Sequence, residues 1–381
     1  MKGIVRVVLF ATGLVMAGQR LASAASFPSP DDWRDENIYF IFTDRFADGD
    51  PSNNNADSSF GSSYAPSDAH GIHGGDLKGI EKKMDYIKAL GATAIWITPI
   101  PLNVGGSSAY HGYGARDFNM LAPHLGTMTD LSNMVAAAHA RGIKVILDIV
   151  CNHSGDLIGS SDSGFPNFKP PPGYNIRYNN SSIQHAPPFL TNSAAPALTN
   201  IFHNNGAIQD YGQTQQVVLG ELSSLDDFAT ETTYVRTNMV NVYTNWVGRA
   251  DLDGFRVDTV KHVDYGFWQY WCPQLHQFGN SIGKSNYFMF GEVFNSGTGD
   301  DPFVGSYTGT KGGGPYKLDS VLDYVLYGRI NPVFATASGN TKQIEDHYAN
   351  ITGNYDSNAW YRLVTFLDNH DNSRFLSNAS N

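Results

Sequence analysis

Gly254-Phe255-Arg256-Val257-Asp258-Thr259-Val260-Lys261-His262 is the stretch on which the fold turns. It opens as a short apolar strand, and Arg256 and Asp258, two positions apart, project from the same face of it. Its polar residues gather toward the C-terminal end, where parallel α/β barrels assemble their sites. The same form recurs along the chain. Lys144 to Val150 leads into Asp148-Ile149-Val150-Cys151-Asn152-His153, Tyr287 to Phe290 into Gly291-Glu292-Val293-Phe294, and Leu363 to Leu367 into Asp368-Asn369-His370-Asp371. Ile38 to Thr43 and Ala94 to Thr98 are further strand-like runs, and helical spacing occupies Asp130 to Ala140, Thr232 to Val247 and Phe267 to Phe278. Strand alternating with helix predicts βα units on a parallel sheet, and the number of units favours a barrel over a doubly wound sheet.

Residues 153–230 break this rhythm. They are rich in Pro, Ser, Asn and Gly, with Lys169-Pro170-Pro171-Pro172-Gly173 near the middle, and read as an insertion after the third strand. The chain stops at Asn381, soon after the run ending at Leu367. The expectation is therefore a (β/α)8 TIM barrel with a small inserted domain after strand 3, truncated before strand 8. An open barrel exposes two unpaired edges, so such a fragment is expected to fold poorly alone.

The first 25 residues carry Lys2 and Arg6, an apolar run from Val7 to Met16, and the small-residue stretch Leu21-Ala22-Ser23-Ala24-Ala25. This order predicts a cleaved secretory signal peptide over 1–25 and a secreted protein, because the run falls short of the roughly 20 residues that cross a bilayer. Loss of Lys2, Arg6 and Arg20 with the leader takes the net charge from −11 to −14. That surface repels phosphate backbones and anionic lipid, so nucleic acid and membrane are excluded as partners. Low charge (16%) with 48 Tyr, Phe and Trp residues suits a neutral polyhydroxylated ligand, whose ring faces stack on aromatics, and equally suits a large aromatic core. Cys151 and Cys272 allow one disulfide, although Cys151 reads better as a buried packing residue.

The strand ends carry the chemistry. Arg256 beside Asp258 favours an ionised carboxylate, as a nucleophile requires, although the pair alone reads equally well as a structural ion pair. Glu292, after Phe288-Met289-Phe290-Gly291, sits where desolvation raises a carboxyl pKa, as a general acid requires. His370 and Asp371 are placed to bind adjacent hydroxyls of a sugar. One carboxylate held as an anion and another kept protonated is the pairing that glycoside hydrolysis uses.

The segments DIVCNH, GFRVDTVKH, GEVF and FLDNHD, in this order, resemble the four signature regions of the α-amylase family, glycoside hydrolase family 13. Tyr110-His111-Gly112-Tyr113-Gly114-Ala115-Arg116-Asp117-Phe118 resembles a further family segment, and the likeness, over residues 36–375, is nearest to cyclodextrin glucanotransferases and related bacterial amylases. The resemblance implies a barrel in two parts, 26–152 and 231–381, around an inserted domain B at 153–230. It implies Asp258 as nucleophile, Glu292 as acid/base and Asp371 as the third essential carboxylate. His111, Tyr113, His153, Arg256, His262 and His370 would contact the sugar, and Lys261 and Phe294 would lie on the acceptor side.

The resemblance also implies calcium. Asp48, Asp50, Asn53, Asn54, Gly74 and Asp76 resemble an N-terminal Ca2+ site, and their hard oxygens on tight turns suit that ion, while a simple polar turn is the alternative. A second family site would use Asn152 and the backbone of His262, but its Asp position holds Ser224. Cyclising relatives carry an aromatic ring where this chain has Gly220, and a Trp is common where it has Gly114. Fewer stacking surfaces favour hydrolysis over cyclisation. The expectation is a retaining endo-hydrolase of α-1,4 bonds in starch-like α-glucans, acting as a monomer, with a transglycosylase such as a cyclodextrin glucanotransferase as the alternative. An inactive carbohydrate-binding relative or fragment is the reading from another class.

Overall fold

The computed structural model describes residues 26–106, 109–179, 187–190, 197–295, 300–309 and 317–379. The leader expected over 1–25 lies outside them. The strands, in chain order, are β1 (Ile38–Ile41), β2 (Ala94–Ile97), β3 (Pro101–Asn103), β4 (Ala115–Leu121), β5 (Lys144–Ile149), β6 (Ile158–Ser160), β7 (Ile176–Tyr178), β8 (Gly254–Val257), β9 (Phe288–Gly291) and β10 (Ser320–Val321). β1, β2, β5, β8, β9 and β10 form one parallel sheet in that order, a curled half-barrel. Its ladders pair Phe40 with Trp96, Asp148 with Arg256, and Arg256 with Phe290.

Every residue of β2, β8 and β9 is buried, because helices cover one face and the barrel interior the other. Alternate residues therefore enter two cores. Ile95, Ile97, Val145, Leu147, Phe255 and Val257 join the layer under the helices. Trp96, Ile146, Phe288 and Phe290 join an inner cluster with Trp33, Leu322 and Tyr324. The helix Met128–His139 opens with a reciprocal cap between Thr127 and Asp130 and buries Leu131, Met134, Val135 and Ala138, one stripe at helical spacing. The helix Thr233–Ala250 starts from the Thr232 side chain and ends at Asp251 in left-handed conformation (φ 58°).

β1, β2, β5, β8 and β9 occupy the predicted runs. The run Leu363 to Leu367 does not form a strand: only Val364 pairs, through a single parallel bridge to Leu322. β10 offers it just two residues, and among the described residues no strand pairs on its other side. A cavity of about 720 Å³ opens between β1 and the 361–374 segment. Cys151 and Cys272 are both buried and free, so neither forms the disulfide that two cysteines allow.

Between β5 and β8 the chain leaves the sheet, forms the antiparallel pair β6–β7, and comes back to its point of departure through bridges from His153 to Asp227 and from Phe202 to Phe228. Asp226 fixes that return by accepting from the backbone N–H of Ile158 at 2.8 Å.

At the opposite end of the sheet Lys284 is fully buried, with Nζ 2.7 Å from Asp253 Oδ1 and 2.9 Å from Asp251 Oδ1. Asp253 also accepts from Val145 N, so the cluster locks β5 to the turn before β8. Lys284→Met removes the buried ammonium from Asp253, leaving that carboxylate only His139 Nε2 at 2.8 Å and the Val145 N–H, and is expected to cost about 3 kcal/mol. Urea unfolding checks this: a lowered midpoint at unchanged slope is expected, and an unchanged midpoint contradicts it.

Candidate active site

Asp148 and Arg256 are register partners whose side chains both face the barrel interior. Arg256 is wholly buried; its Nη1 donates to Asp148 Oδ1 at 2.9 Å and Asp258 Oδ1 at 2.7 Å, and its Nη2 lies 3.1 Å from Glu292 Oε2. One guanidinium thus serves three carboxylates, as its fork of donors permits. Asp148 Oδ2 also accepts from Trp96 Nε1 at 2.9 Å and from the Tyr113 hydroxyl at 2.8 Å.

Thr259, directly after Asp258, adopts a left-handed backbone (φ 46°), which is strained for a β-branched residue. The turn aims its N–H at Glu292 Oε2, 3.2 Å away. Gly291 beside Glu292 lets Leu318 and Val260 pack close: a Cβ there would meet Leu318 Cδ1 at 2.3 Å and Val260 Cγ2 at 2.7 Å and force those side chains to shift. Asp371 is held by its N–H donating to Asn369 Oδ1 at 2.9 Å, and its carboxylate lies 3.2 Å from His370 Nε2. His370 stacks on Tyr113, with ring centroids 5.6 Å apart.

Asp258, Glu292 and Asp371 line one cavity of about 510 Å³ together with Tyr113, His153, Lys261, His262, Phe294 and His370. Arg256 lies beneath its floor. His111 is set behind Tyr113, where its Nδ1 accepts the Tyr113 N–H at 2.9 Å, so it supports the ring and does not form the wall. Tyr211, Leu222 and Leu225 complete the wall from the excursion between β5 and β8. Sequence reasoning gave them no role, because the excursion has no periodicity that orients its side chains. Asp148 lies near the end of the Lys144 to Val150 run without a signal of its own, and its parity with Arg256 on the neighbouring strand is what finds it.

Burial pushes the Asp258 carboxyl up, with Arg256 opposing, so the net shift is upward and Arg256 does not hold it at or below the ordinary Asp range. Burial likewise raises Glu292 against the pull of Arg256. Asp371 is raised to about 6 by burial and then by Glu292. Asp148 is raised to about 7 by burial, with Arg256 opposing. Burial thus raises all four carboxyls, and Arg256 opposes that rise in each of them. Burial lowers His153 to about 4 and His370 to about 3, so both imidazoles are neutral and donate one N–H each.

The residues expected to bind calcium divide. Asp76 caps the helix Leu77–Lys82 and accepts from the N–H groups of Gly49, Asp50 and Gly79, and Asp50 pairs with Lys78 at 3.0 Å. Asn53 Oδ1 and Asn54 Oδ1 are buried without a donor. Asp48 lies against Asn54, and Gly74 leaves no room there for a Cβ. Those oxygens fit a hard cation. Asn152 Oδ1 is also buried without a donor.

A parallel curled sheet whose C-terminal ends deliver three carboxylates into one cavity is the layout of a barrel catalytic domain. The chain belongs to the α-amylase family: the family described as "Alpha amylase, catalytic domain" matches residues 40–381. It is 34% identical over 350 residues to an α-amylase of Streptomyces lividans, covering 82% of this chain and 36% of that protein. It is 33% identical over 357 residues to a cyclomaltodextrin glucanotransferase of Klebsiella oxytoca, covering 90% and 50%. The crystal structure of an α-amylase from Geobacillus thermoleovorans complexed with acarbose superposes with a TM-score of 0.70 at 33% identity, covering 92% of this chain and 64% of that one. The chain thus spans half or less of the length of these two sequence relatives.

Proposed function

We propose that this chain carries the site of a retaining endo-hydrolase of α-1,4-glucosidic bonds in starch-like α-glucans. The observation that carries the reading is the tethering of Asp258 and Glu292 to the two terminal nitrogens of Arg256 at the floor of one cavity. Retention needs the two carboxyls about 5 Å apart, a span that one guanidinium bridges. Asp258 attacks the anomeric carbon while Glu292 delivers its proton to the glycosidic oxygen; the C–O bond breaks and a glycosyl ester forms. Glu292 then takes a proton from water, which attacks the same carbon and releases Asp258. Asp371 favours the positive charge that builds on the ring, and Tyr113 and His370 present a stacked wall to it.

Hydrolysis is favoured over cyclisation by Gly220. A Cβ there would meet Gln216 O at 2.6 Å and Ile208 Cγ1 at 2.9 Å, so this backbone cannot carry a ring around which a glucan winds. A transglycosylase uses the same first step with a sugar hydroxyl in place of water, and half-exposed Phe294 beside Lys261 offers an acceptor surface. Digestion of soluble starch scores both: linear malto-oligosaccharides are expected, and cyclodextrins as main product contradict the reading. For turnover Asp258 must be ionised and Glu292 protonated. Both are shifted upward, so a bell-shaped kcat/KM profile is expected, with its acidic limb above the ordinary Asp value of about 3.9 and its alkaline limb above the ordinary Glu value of about 4.3. An acidic limb below the Asp value contradicts this.

We further propose secretion, and calcium held by Asp48, Asn53, Asn54 and the Gly74 turn; a second site at Asn152 and the backbone of His262 would lack the Asp that the family resemblance implies, its position being held by Ser224. The ion would cross-link the loop after β1. Chelation is expected to lower the melting temperature, since a ligand at 100 times its Kd contributes about 2.7 kcal/mol. Calorimetry with and without chelator checks this, and an unchanged melting temperature contradicts it.

A further inference from the structure

Tyr324 opens the helix Tyr324–Ile330, next to Asp323, whose side chain caps that helix. The Tyr324 ring is fully buried, packed 5.0 Å from Phe366 and 4.9 Å from Phe294. Its hydroxyl donates to Glu292 Oε1 at 3.1 Å. The same oxygen accepts from Asn369 Nδ2 and Asn372 Nδ2, each at 3.3 Å. A phenol has one proton and two acceptor sites. With two amide donors on those sites, its proton has one place to go, the Glu292 carboxylate.

The two amides belong to the segment that carries the third acid. Asn369 Oδ1 accepts the Asp371 N–H at 2.9 Å and Asn372 Nδ2 at 2.6 Å. A single hydroxyl therefore joins the strand end bearing Glu292 to the loop bearing Asp371. We propose that the Tyr324 hydroxyl, oriented by Asn369 and Asn372, is a positioning residue that sets the rotamer of Glu292 and tunes its protonation, coupling it to the Asp371 loop. This rests on Glu292 being the acid/base.

The sign follows from the direction of the bond. A donor to the ionised carboxylate favours the anion, so Tyr324 works against the upward push of burial. Removing the hydroxyl strengthens the protonated form.

The test is Tyr324→Phe, assayed on maltoheptaose across pH. The alkaline limb of kcat/KM is expected to move up by about one pH unit. A fall of about 10-fold in kcat with KM within about 2-fold should accompany it, as for an interaction that matters after binding. An alkaline limb in place, whatever the activity, overturns the proposal, because a purely structural role alters activity or melting without moving it. Asn372→Ala is read beside it: freeing one acceptor site lets the hydroxyl turn, so a smaller shift of the same sign is expected and an unmoved limb counts against the proposal. It also decides the matter if the Phe variant fails to fold. Glu292→Gln separates this from the underlying reading: a Gln variant with near-native activity sinks the acid/base assignment, whereas an inactive one leaves the Tyr324 result to stand or fall alone.

Discussion

Asp258→Asn is expected to lower kcat on malto-oligosaccharides by about 10⁴-fold or more, with the fold intact. Asn keeps the shape and an oxygen for the Nη1 of Arg256, 2.7 Å away in the native chain, but it cannot form the glycosyl ester. The substitution also removes one of three carboxylates around one buried cation, leaving Asp148 and Glu292 to balance it, so no charge is orphaned. Circular dichroism and melting temperature near native with activity lost is the expected pair of results. Activity within tenfold of native would remove Asp258 from the nucleophile's role.

Arg256→Leu is the second large effect, and it acts on stability. Arg256 is fully buried and, among the described residues, is the cation ion-paired with Asp148, Asp258 and Glu292 together. Removing one partner of a buried charge network costs about 3–5 kcal/mol, and here several carboxylates lose their partner together. The cost has a pH signature. Burial already sets the folded pKa of these acids above the unfolded value, and without Arg256 they rise further. A carboxyl with a raised folded pKa contributes stability below its unfolded pKa and loses it as pH rises through the folded one. The variant is therefore expected to lose most at pH 8 and recover part of the loss at pH 5. Urea midpoints at the two pH values check this, and equal losses contradict the shared-cation account. Arg256→Lys should rescue little, since an ammonium cannot span three carboxylates with a planar fork.

Much of the sheet was legible because β2, β5, β8 and β9 are largely buried on both faces and so read as mostly apolar runs, interrupted by Lys144 and Asp148 in β5 and by Arg256 in β8. Asp258 and Glu292 were legible for a related reason: each follows such a run directly, and a polar residue is tolerated there when it faces a cavity. β10 escaped notice because two residues carry no periodicity. Leu363 to Leu367 has strand composition, yet a ladder needs neighbours, and the single bridge at Val364 is all the sheet provides. The part of Tyr324 in the site was invisible, since its hydroxyl reaches Glu292 across 32 residues of chain and only the packing against Phe366 and Phe294 puts it there. The excursion between β5 and β8 was recognised by its composition, but the contribution of Tyr211 and Leu225 to the cavity wall depends on how that segment folds back through Asp226 and Asp227.

Covalent trapping tests double displacement at Asp258 and Glu292 most directly. Incubation with a 5-fluoro-α-glucosyl fluoride, which slows breakdown of the glycosyl ester, followed by intact-mass and peptide mapping, should give one added glycosyl group per chain on the peptide containing Asp258. A label on another residue, or turnover of the reagent with inversion at the anomeric carbon and no ester at all, would contradict a double displacement at Asp258 and Glu292.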